Sequence, residues 1–204
     1  MNDKLLLSTC SVLLISLSLT ACNNNPPAAT SSTSTAQTPS QNSSRYHDNG
    51  DGTVTDSTTK LMWKKCLEGR SGANCQLGNA NTSAFLWNET PALTKASFAN
   101  HNDWRLPSLQ ELNSLVKCGN GKPSNFKAEV TSCWGPDRKG TYTSPTIDTQ
   151  AFPNVPEFAY VWTATGDEKR PGSKFMVNFN DGGLGGVYTK NTNRYQVLLV
   201  RKAQ

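Results

Sequence analysis

The composition of the chain changes abruptly at Arg45, and this change limits where a folded domain can form. Residues 23–44 consist only of Asn, Pro, Ala, Thr, Ser and Gln, without a charge, an aromatic ring or a large aliphatic side chain. Such a segment buries too little apolar surface to offset the entropy that it would lose on ordering. We therefore expect a disordered linker there and one folded domain over residues 45–204, a length that suits a single hydrophobic core.

The segment before the linker predicts a secretory signal peptide over residues 1–21. Lys4 precedes a short apolar stretch over residues 5–19, and small residues separate this stretch from Cys22. The stretch is shorter than the roughly 20 apolar residues that span a bilayer. The ending Leu-Thr-Ala-Cys22 resembles the lipobox of bacterial lipoproteins, which implies cleavage before Cys22 and attachment of lipid to its thiol.

Lipidation of Cys22 would fix the location of the protein. Acyl chains hold a protein at a membrane because each buried CH₂ contributes about 0.8 kcal/mol. We expect residues 22–44 to be the lipidated cysteine and its linker, and the protein to be anchored in the bacterial cell envelope. Asn23 stands where lipoproteins retained at the inner membrane carry aspartate, so the resemblance favours the outer membrane. The alternative is an ordinary signal peptide that ends by chance before a cysteine.

Four of the six cysteines remain in the expected domain once the signal peptide is removed and Cys22 takes lipid. An even number of cysteines in an exported domain predicts disulfides. Three connectivities are open, and we favour Cys66–Cys75 and Cys118–Cys133 because each pair closes a short, loop-like segment. A zinc site of four thiolates is disfavoured, because the spacings lack the CxxC pairs that are typical of such sites.

The formal net charge of +5 resides in the expected domain, because Lys4 and Asp3 cancel within the signal peptide. A basic exported domain favours polyanions outside the cytoplasm, such as acidic or sulfated polysaccharide. No groove-reading module is visible in the sequence, so we expect no nucleic-acid partner. A solvated basic surface without a specific partner is the alternative.

The first part of the domain predicts a β-hairpin around two turn dipeptides, Asn49-Gly50 and Asp51-Gly52. β-Favouring residues flank the turn at 53–55 and 61–63. Three nearby aspartates suggest a calcium loop, but residues in two of its ligand positions do not fit. A turn in which Asp and Asn side chains accept backbone hydrogen bonds is therefore favoured.

Two helices are predicted next. Thr90 and Pro91 suit the start of a helix that continues to Ala99, with Leu93, Ala96 and Phe98 as its buried stripe. A second helix begins with a capping box between Ser108 and Glu111. Its inner face is formed by Leu109, Leu112, Leu115 and Val116.

The rest of the domain predicts a long loop and then an antiparallel sheet. Residues 117–157 are rich in Gly, Pro, Ser and Thr, whereas residues 160–164, 174–179 and 195–201 favour strands. Residues 180–183 form a turn between two of these strands. The expected fold class is therefore α+β, with two helices, an antiparallel sheet and long loops.

Several motifs in this order resemble one bacterial family. The motifs are the run Arg45–Asp56, the Leu-Met-Trp63 strand, the Asp-Trp-Arg-Leu-Pro107 segment before a capped helix, Trp162, a Phe179-x-x-Gly182 strand end and the terminal Val200-Arg201. Together they resemble the DUF1566 family, the C-terminal domain of the Legionella collagen-like adhesin, over nearly all of residues 45–201. The resemblance implies a C-type-lectin-like α+β domain that binds sulfated glycosaminoglycans. Many members have a cysteine near the terminal Val-Arg; this chain has none there, which supports Cys75 as the partner of Cys66.

The sequence gives little support for an enzyme. It carries no Ser/His/Asp order, phosphate loop or HExxH motif, and His47 and His101 stand apart. The resemblance to formylglycine-generating sulfatase-activating enzymes is at the level of fold, which does not carry function. We expect no cofactor and no metal, and no catalysis.

A ligand-binding domain of the adhesin type fits better, because arginine and lysine recognise sulfate and aromatic rings stack on sugars. The alternatives are an interaction module for an envelope or host protein and, less favoured, an oxidase of the formylglycine-generating type. The candidate contacts lie in the long loops and turns: Lys122, Lys127, Trp134, Arg138, Lys139, Tyr142, Lys169, Arg170 and Lys174. Arg138 and Lys139, near Trp134, are the first choice.

Overall fold

The described residues of the domain form two antiparallel sheets and three short helical segments. The computed structural model describes residues 44–79, 83–119, 132–133 and 142–204, which belong to one compact unit, Asn42–Gln204. The first sheet has the order β1-β2-β3-β7 and the second the order β4-β5-β6. The strands are β1 Tyr46–Asp48, β2 Thr53–Asp56, β3 Leu61–Lys64, β4 Tyr160–Gly166, β5 Ser173–Asn178, β6 Gly183–Tyr188 and β7 Val200–Lys202. A 3-10 turn at Trp87–Glu89 precedes the helices α1, Thr90–Leu93, and α2, Leu109–Asn113.

The predicted hairpin is confirmed in part: its two strands pair as β2 and β3 across residues 57–60, whereas the turn at 49–52 joins β2 to β1 and is stabilised by side chains as expected. Asp48 Oδ1 accepts a hydrogen bond from the Gly50 N–H at 3.0 Å, and Asp51 Oδ1 accepts one from the Thr53 N–H at 3.0 Å. These bonds hold the aspartates in the turn between β1 and β2. In the part of the chain that the structure describes, no group of three His, Cys, Asp or Glu residues could hold a metal ion.

Both predicted disulfides are present. Cys66 is bonded to Cys75 and Cys118 to Cys133. The thiolate zinc site is therefore wrong, since all four sulfur atoms are in disulfide bonds. The first disulfide closes the loop after β3. The second joins Cys118, which follows α2 in the chain, to Cys133. The Cys133 N–H donates a hydrogen bond to Asp181 O at 2.8 Å.

The first predicted helix is wrong over most of its length. Helix α1 ends at Leu93, which packs against the core, whereas Phe98 is 36% exposed. Ala96 is also exposed. The left-handed φ angles of Ala99 (50°) and Asn100 (61°) turn the chain back, so that Phe98 exchanges backbone hydrogen bonds with His101.

The second helix begins as predicted. The Ser108 hydroxyl accepts a hydrogen bond from the Glu111 N–H at 3.1 Å, and Glu111 Oε2 accepts one from the Ser108 N–H at 2.8 Å. The four predicted inner-face residues are buried, although the last two, Leu115 and Val116, lie beyond the end of α2. Their N–H groups bond to carbonyls three residues earlier, which continues the chain as tighter turns.

The predicted strand 195–201 is confirmed only at its end, as β7. Its earlier residues bond to two different neighbours: Gln196 exchanges hydrogen bonds with β4, and Val197 O accepts from the Glu68 N–H. Side chains still alternate along the segment, with Leu198 and Val200 in the main core cluster and Val197 and Leu199 in a second one. The segment therefore joins the two sheets instead of extending one of them.

Two apolar clusters lie on opposite faces of the three-stranded sheet. Val161 and Val177 belong to the main cluster, whereas Trp162 and Val187 belong to the second. The alternation follows from the two-residue period of a strand. No helix among the described residues is long and apolar enough to cross a membrane.

Candidate functional site

The turn between β4 and β5 carries cations, and hydrogen bonds to Asp167 stabilise this turn. Asp167 is 8% exposed; its Oδ1 accepts the Lys169 N–H at 3.0 Å and its Oδ2 accepts Arg170 Nε at 2.6 Å. Its main chain bonds to both Arg170 and Ser173. The Arg170 guanidinium, followed by the Lys169 N–H, holds the pKa of Asp167 below its ordinary value. Asp167 is therefore ionised at neutral pH and fixes the turn.

The Arg170 guanidinium lies over a glycine of the edge strand β6. A Cβ placed on Gly186 would collide with Arg170 Nη2, and it would lie 2.9 Å from Asp167 Oδ2. The absent side chain at Gly186 thus leaves room for the ion pair. Since the Arg170 side chain is 47% exposed, the guanidinium can still donate hydrogen bonds to a ligand.

Lys174 lies at the same end of the sheet, and its ammonium group is close to an aromatic side chain. Its Nζ donates a hydrogen bond to Ala164 O at 2.9 Å and lies 5.0 Å from the centroid of the Trp87 ring. This is cation–π geometry, which holds the ammonium group at the ring face. One N–H of the ammonium group is used in the protein, and the others remain available to an anion.

Trp87 begins a row of aromatic rings, which we call the aromatic row: Trp87, Trp162, Tyr195 and Tyr160. Successive ring centroids lie 5.6, 4.7 and 5.7 Å apart. Trp162 is 1% exposed and donates from Nε1 to Phe85 O at 2.9 Å, whereas the other three rings are half-buried. Burial raises the pKa of Tyr195, so its hydroxyl is neutral at physiological pH.

Three further contacts tie the loop after β6 to this end of the sheet. The Thr189 N–H donates to Gly172 O at 2.9 Å, which brings exposed Lys190 near the β4–β5 turn. Arg194 forms two hydrogen bonds of 2.9 Å with the Glu89 carboxylate. We call Lys169, Arg170, Lys174 and Lys190 the basic end. Its four cations face two nearby carboxylates, Asp167 and Glu168, which leaves a net charge of +2.

The structure places three of the predicted contact residues, Lys169, Arg170 and Lys174, at one end of the three-stranded sheet, with Arg170 over Gly186 and Lys174 on the opposite face towards Trp87. It places Tyr142 elsewhere, half-buried against the main core cluster. Trp134, Arg138 and Lys139, with Lys122 and Lys127, lie outside the described residues.

Sequence reasoning missed Lys190 and the three half-buried rings of the aromatic row. One signal was available: Tyr160 and Trp162 are two residues apart in a predicted strand, so they share a face. No sequence signal joined Trp87 or Tyr195 to them, because the 3-10 turn and the segment before β7 meet only in the folded chain.

Most other cations of the described residues are held by carboxylates. Arg45 binds the fully buried Asp56 at 2.6 Å, and Arg105 binds Glu111 at 2.7 Å. Trp104 is buried and donates to Phe98 O at 3.0 Å, so Trp104 and Arg105 both hold the structure of the domain. Cations paired in this way are less available to a polyanion than Lys169, Lys174 and Lys190 of the basic end, for which the described residues provide no ion pair; Arg170 is paired with Asp167.

Comparison with known proteins identifies the chain at the level of a family. A model of the Lcl C-terminal domain matches residues 52–201, which is most of the chain. The chain belongs to the Lcl C-terminal domain family. The match covers the second sheet, the first sheet except β1 and the last residue of β7, the two disulfides and the basic end. No curated protein and no solved structure matches the chain.

Proposed function

We propose that this protein is an adhesin-type lipoprotein of the cell envelope whose Lcl C-terminal domain binds acidic or sulfated polysaccharide. The observation that carries the proposal is the basic end, where Lys174 lies against the half-buried Trp87 ring and Lys169, Arg170 and Lys190 lie on the adjoining turns. Sulfate groups would pair with the cations, and a sugar face would stack on the ring. We also propose that the domain has a C-type-lectin-like fold, in which loops at one end of a small sheet form the ligand site.

The two positive charges of Lys169 and Lys174 make the test specific. Replacing both lysines with Ala should weaken binding to heparin about tenfold, equivalent to about 1.4 kcal/mol. Binding by the wild type should also weaken steeply as salt rises, because exposed charges are screened within about 8 Å at physiological ionic strength. Surface plasmon resonance on immobilised heparin at two salt concentrations measures both effects.

Matched variants locate the site. Lys60→Ala with Lys202→Ala removes the same charge from exposed lysines at the first sheet, so heparin affinity should fall far less. Arg138→Ala with Lys139→Ala tests the site that the sequence favoured. If only this last variant loses affinity, the ligand class holds and the basic end is not its site.

A protein partner is the alternative outcome. If the wild-type domain ignores heparin at low salt, the polyanion proposal is wrong. Salt-insensitive binding to an envelope or host protein would then indicate an apolar contact, for which Phe158, 63% exposed, is a starting point.

We also propose that the domain performs no catalysis. The four cysteines are in disulfides, so none serves as the thiol that a formylglycine-generating oxidase needs. His101 stacks edge-on against Trp104, at 6.4 Å between ring centroids, as a packing residue does. Turnover of a cysteine-containing sulfatase peptide by the purified domain would contradict this proposal.

Anchoring at the outer membrane rests on Cys22. Intact mass of the detergent-extracted protein should show an amino terminus at Cys22 carrying lipid. Cys22→Ala should release the protein from the membrane fraction; unchanged membrane association would show the anchor to be elsewhere.

A further inference from the structure

A second concave surface lies at the other sheet, beside the Cys66–Cys75 disulfide. It has a volume of about 660 Å³ and is formed by the β1–β2 turn, the end of β3, the disulfide loop and Phe98. We call it the disulfide cleft. Its volume falls within the roughly 300–1,000 Å³ of small-molecule sites.

One wall of the disulfide cleft is the ring of Phe98, which is held from several sides. Lys64 Nζ lies 4.7 Å from its centroid, and the Trp104 ring meets it edge-on with 6.0 Å between centroids. Gly52, at φ +87°, lies so close that a Cβ there would come within 2.9 Å of Phe98 Cζ. A large apolar ring that is 36% exposed is thus fixed in orientation, although it lies outside the core.

The charges of the disulfide cleft balance within it. Three cations and three carboxylates line it: Lys64, Lys65, Arg70, Asp48, Asp51 and Glu68. Lys65 Nζ lies 2.6 Å from Asp48 Oδ2, and Lys64 Nζ lies 2.8 Å from Glu68 Oε1. Because the lining is neutral and both of its lysines are paired, the cleft offers no net attraction to a polyanion, unlike the basic end.

Hydrogen-bonding groups nevertheless face the cleft beside the fixed ring. The Asp48 side chain is 51% exposed, and each of its oxygens retains a lone pair beyond its bonds to Lys65 and Gly50. Arg70 uses Nε to bind Cys75 O at 2.8 Å, which leaves its terminal N–H groups as donors. Donors, acceptors and an aromatic face in a neutral cleft match the chemistry of a polyhydroxylated ring.

We infer that the disulfide cleft binds an uncharged sugar ring, which stacks on Phe98 and exchanges hydrogen bonds with Asp48 and Arg70. This site is separate from the basic end. The domain would therefore recognise a neutral glycan unit and a polyanion by different surfaces.

The experiment uses the full chain and a panel of methyl glycosides: α-mannoside, α-glucoside, β-galactoside, α-fucoside and β-N-acetylglucosaminide. Saturation-transfer difference NMR should detect binding of at least one of them to the wild type. Phe98→Leu keeps an apolar wall but removes the ring, and should weaken that binding about tenfold. Ala73→Trp places a bulky side chain in the cleft at an exposed position and should abolish it.

Phe158→Leu is the matched control, because it removes a phenylalanine ring that is even more exposed but lies away from the cleft, and it should leave sugar binding unchanged. Lys169→Ala with Lys174→Ala should also leave it unchanged while reducing heparin binding, so that the two proposals fail separately. The inference is overturned if no glycoside binds the wild type, or if Ala73→Trp binds as well as the wild type. Ala73→Trp decides the matter if Phe98→Leu fails to fold.

Discussion

Two lysines, one at each sheet, have opposite environments. Lys64, at the end of β3, is 7% exposed and is held by Glu68 and two aromatic rings. Lys169, at the turn after β4, is fully open to solvent and only its main-chain N–H is held, by Asp167. A lysine enclosed by a carboxylate shapes a neutral cleft, whereas a lysine on a rigid open turn contributes to an attractive surface. The number of lysines in a sequence therefore says little about what each lysine does in the folded protein.

The largest expected effect distinguishes a buried ion pair from an exposed one. Arg45→Ala leaves the fully buried Asp56 carboxylate without its partner, which should lower the free energy of unfolding by about 3 kcal/mol. Arg170→Ala breaks an equally short pair whose arginine is 47% exposed, and should cost under about 1 kcal/mol. Urea denaturation at pH 7 compares the two. Equal losses would show that the two sheets do not differ in this respect.

The next effect concerns the disulfide that closes the cleft. Replacing Cys66 and Cys75 with Ala should lower the free energy of unfolding by about 2–3 kcal/mol, since the unfolded chain regains loop entropy. The variant should lose sugar binding in the disulfide cleft and keep heparin binding at the basic end. Thermal unfolding with the two binding assays measures this. Parallel loss of both activities would mean that the surfaces are not independent.

The smallest effect is a difference in acid sensitivity. Burial alone would raise the pKa of Asp56, but hydrogen bonds from Arg45 and neighbouring groups hold it below its ordinary value. A depressed pKa stabilises the fold above the unfolded value of about 3.9, and this stabilisation is lost as pH falls through the folded pKa. Unfolding free energies between pH 7 and pH 3 should fall for the wild type and for Arg170→Ala. For Arg45→Ala this fall in unfolding free energy should be smaller. A fall as large as that of the wild type would show that other carboxylates cause the acid sensitivity.

Local patterns predicted the local parts of the fold. The turn at Asn49–Gly52, the capping box at Ser108 and both disulfides depend on residues close together in sequence, and the structure confirms all of them. The family was also visible in the order of the motifs. The helix predicted to reach Ala99 failed because propensity is a weak guide where the chain has a better tertiary partner, here the backbone exchange between Phe98 and His101.

The sequence by itself favoured the cysteine pairs that form and determined where α2 begins, because both depend on residues close together in the chain. Only the tertiary structure decided that residues 195–200 join two sheets, that Trp87 and Tyr195 meet Trp162, and that Lys64 is enclosed whereas Lys169 is open. Those outcomes depend on contacts between segments that are up to about a hundred residues apart in the chain. No local sequence pattern specifies which of these segments form hydrogen bonds with each other.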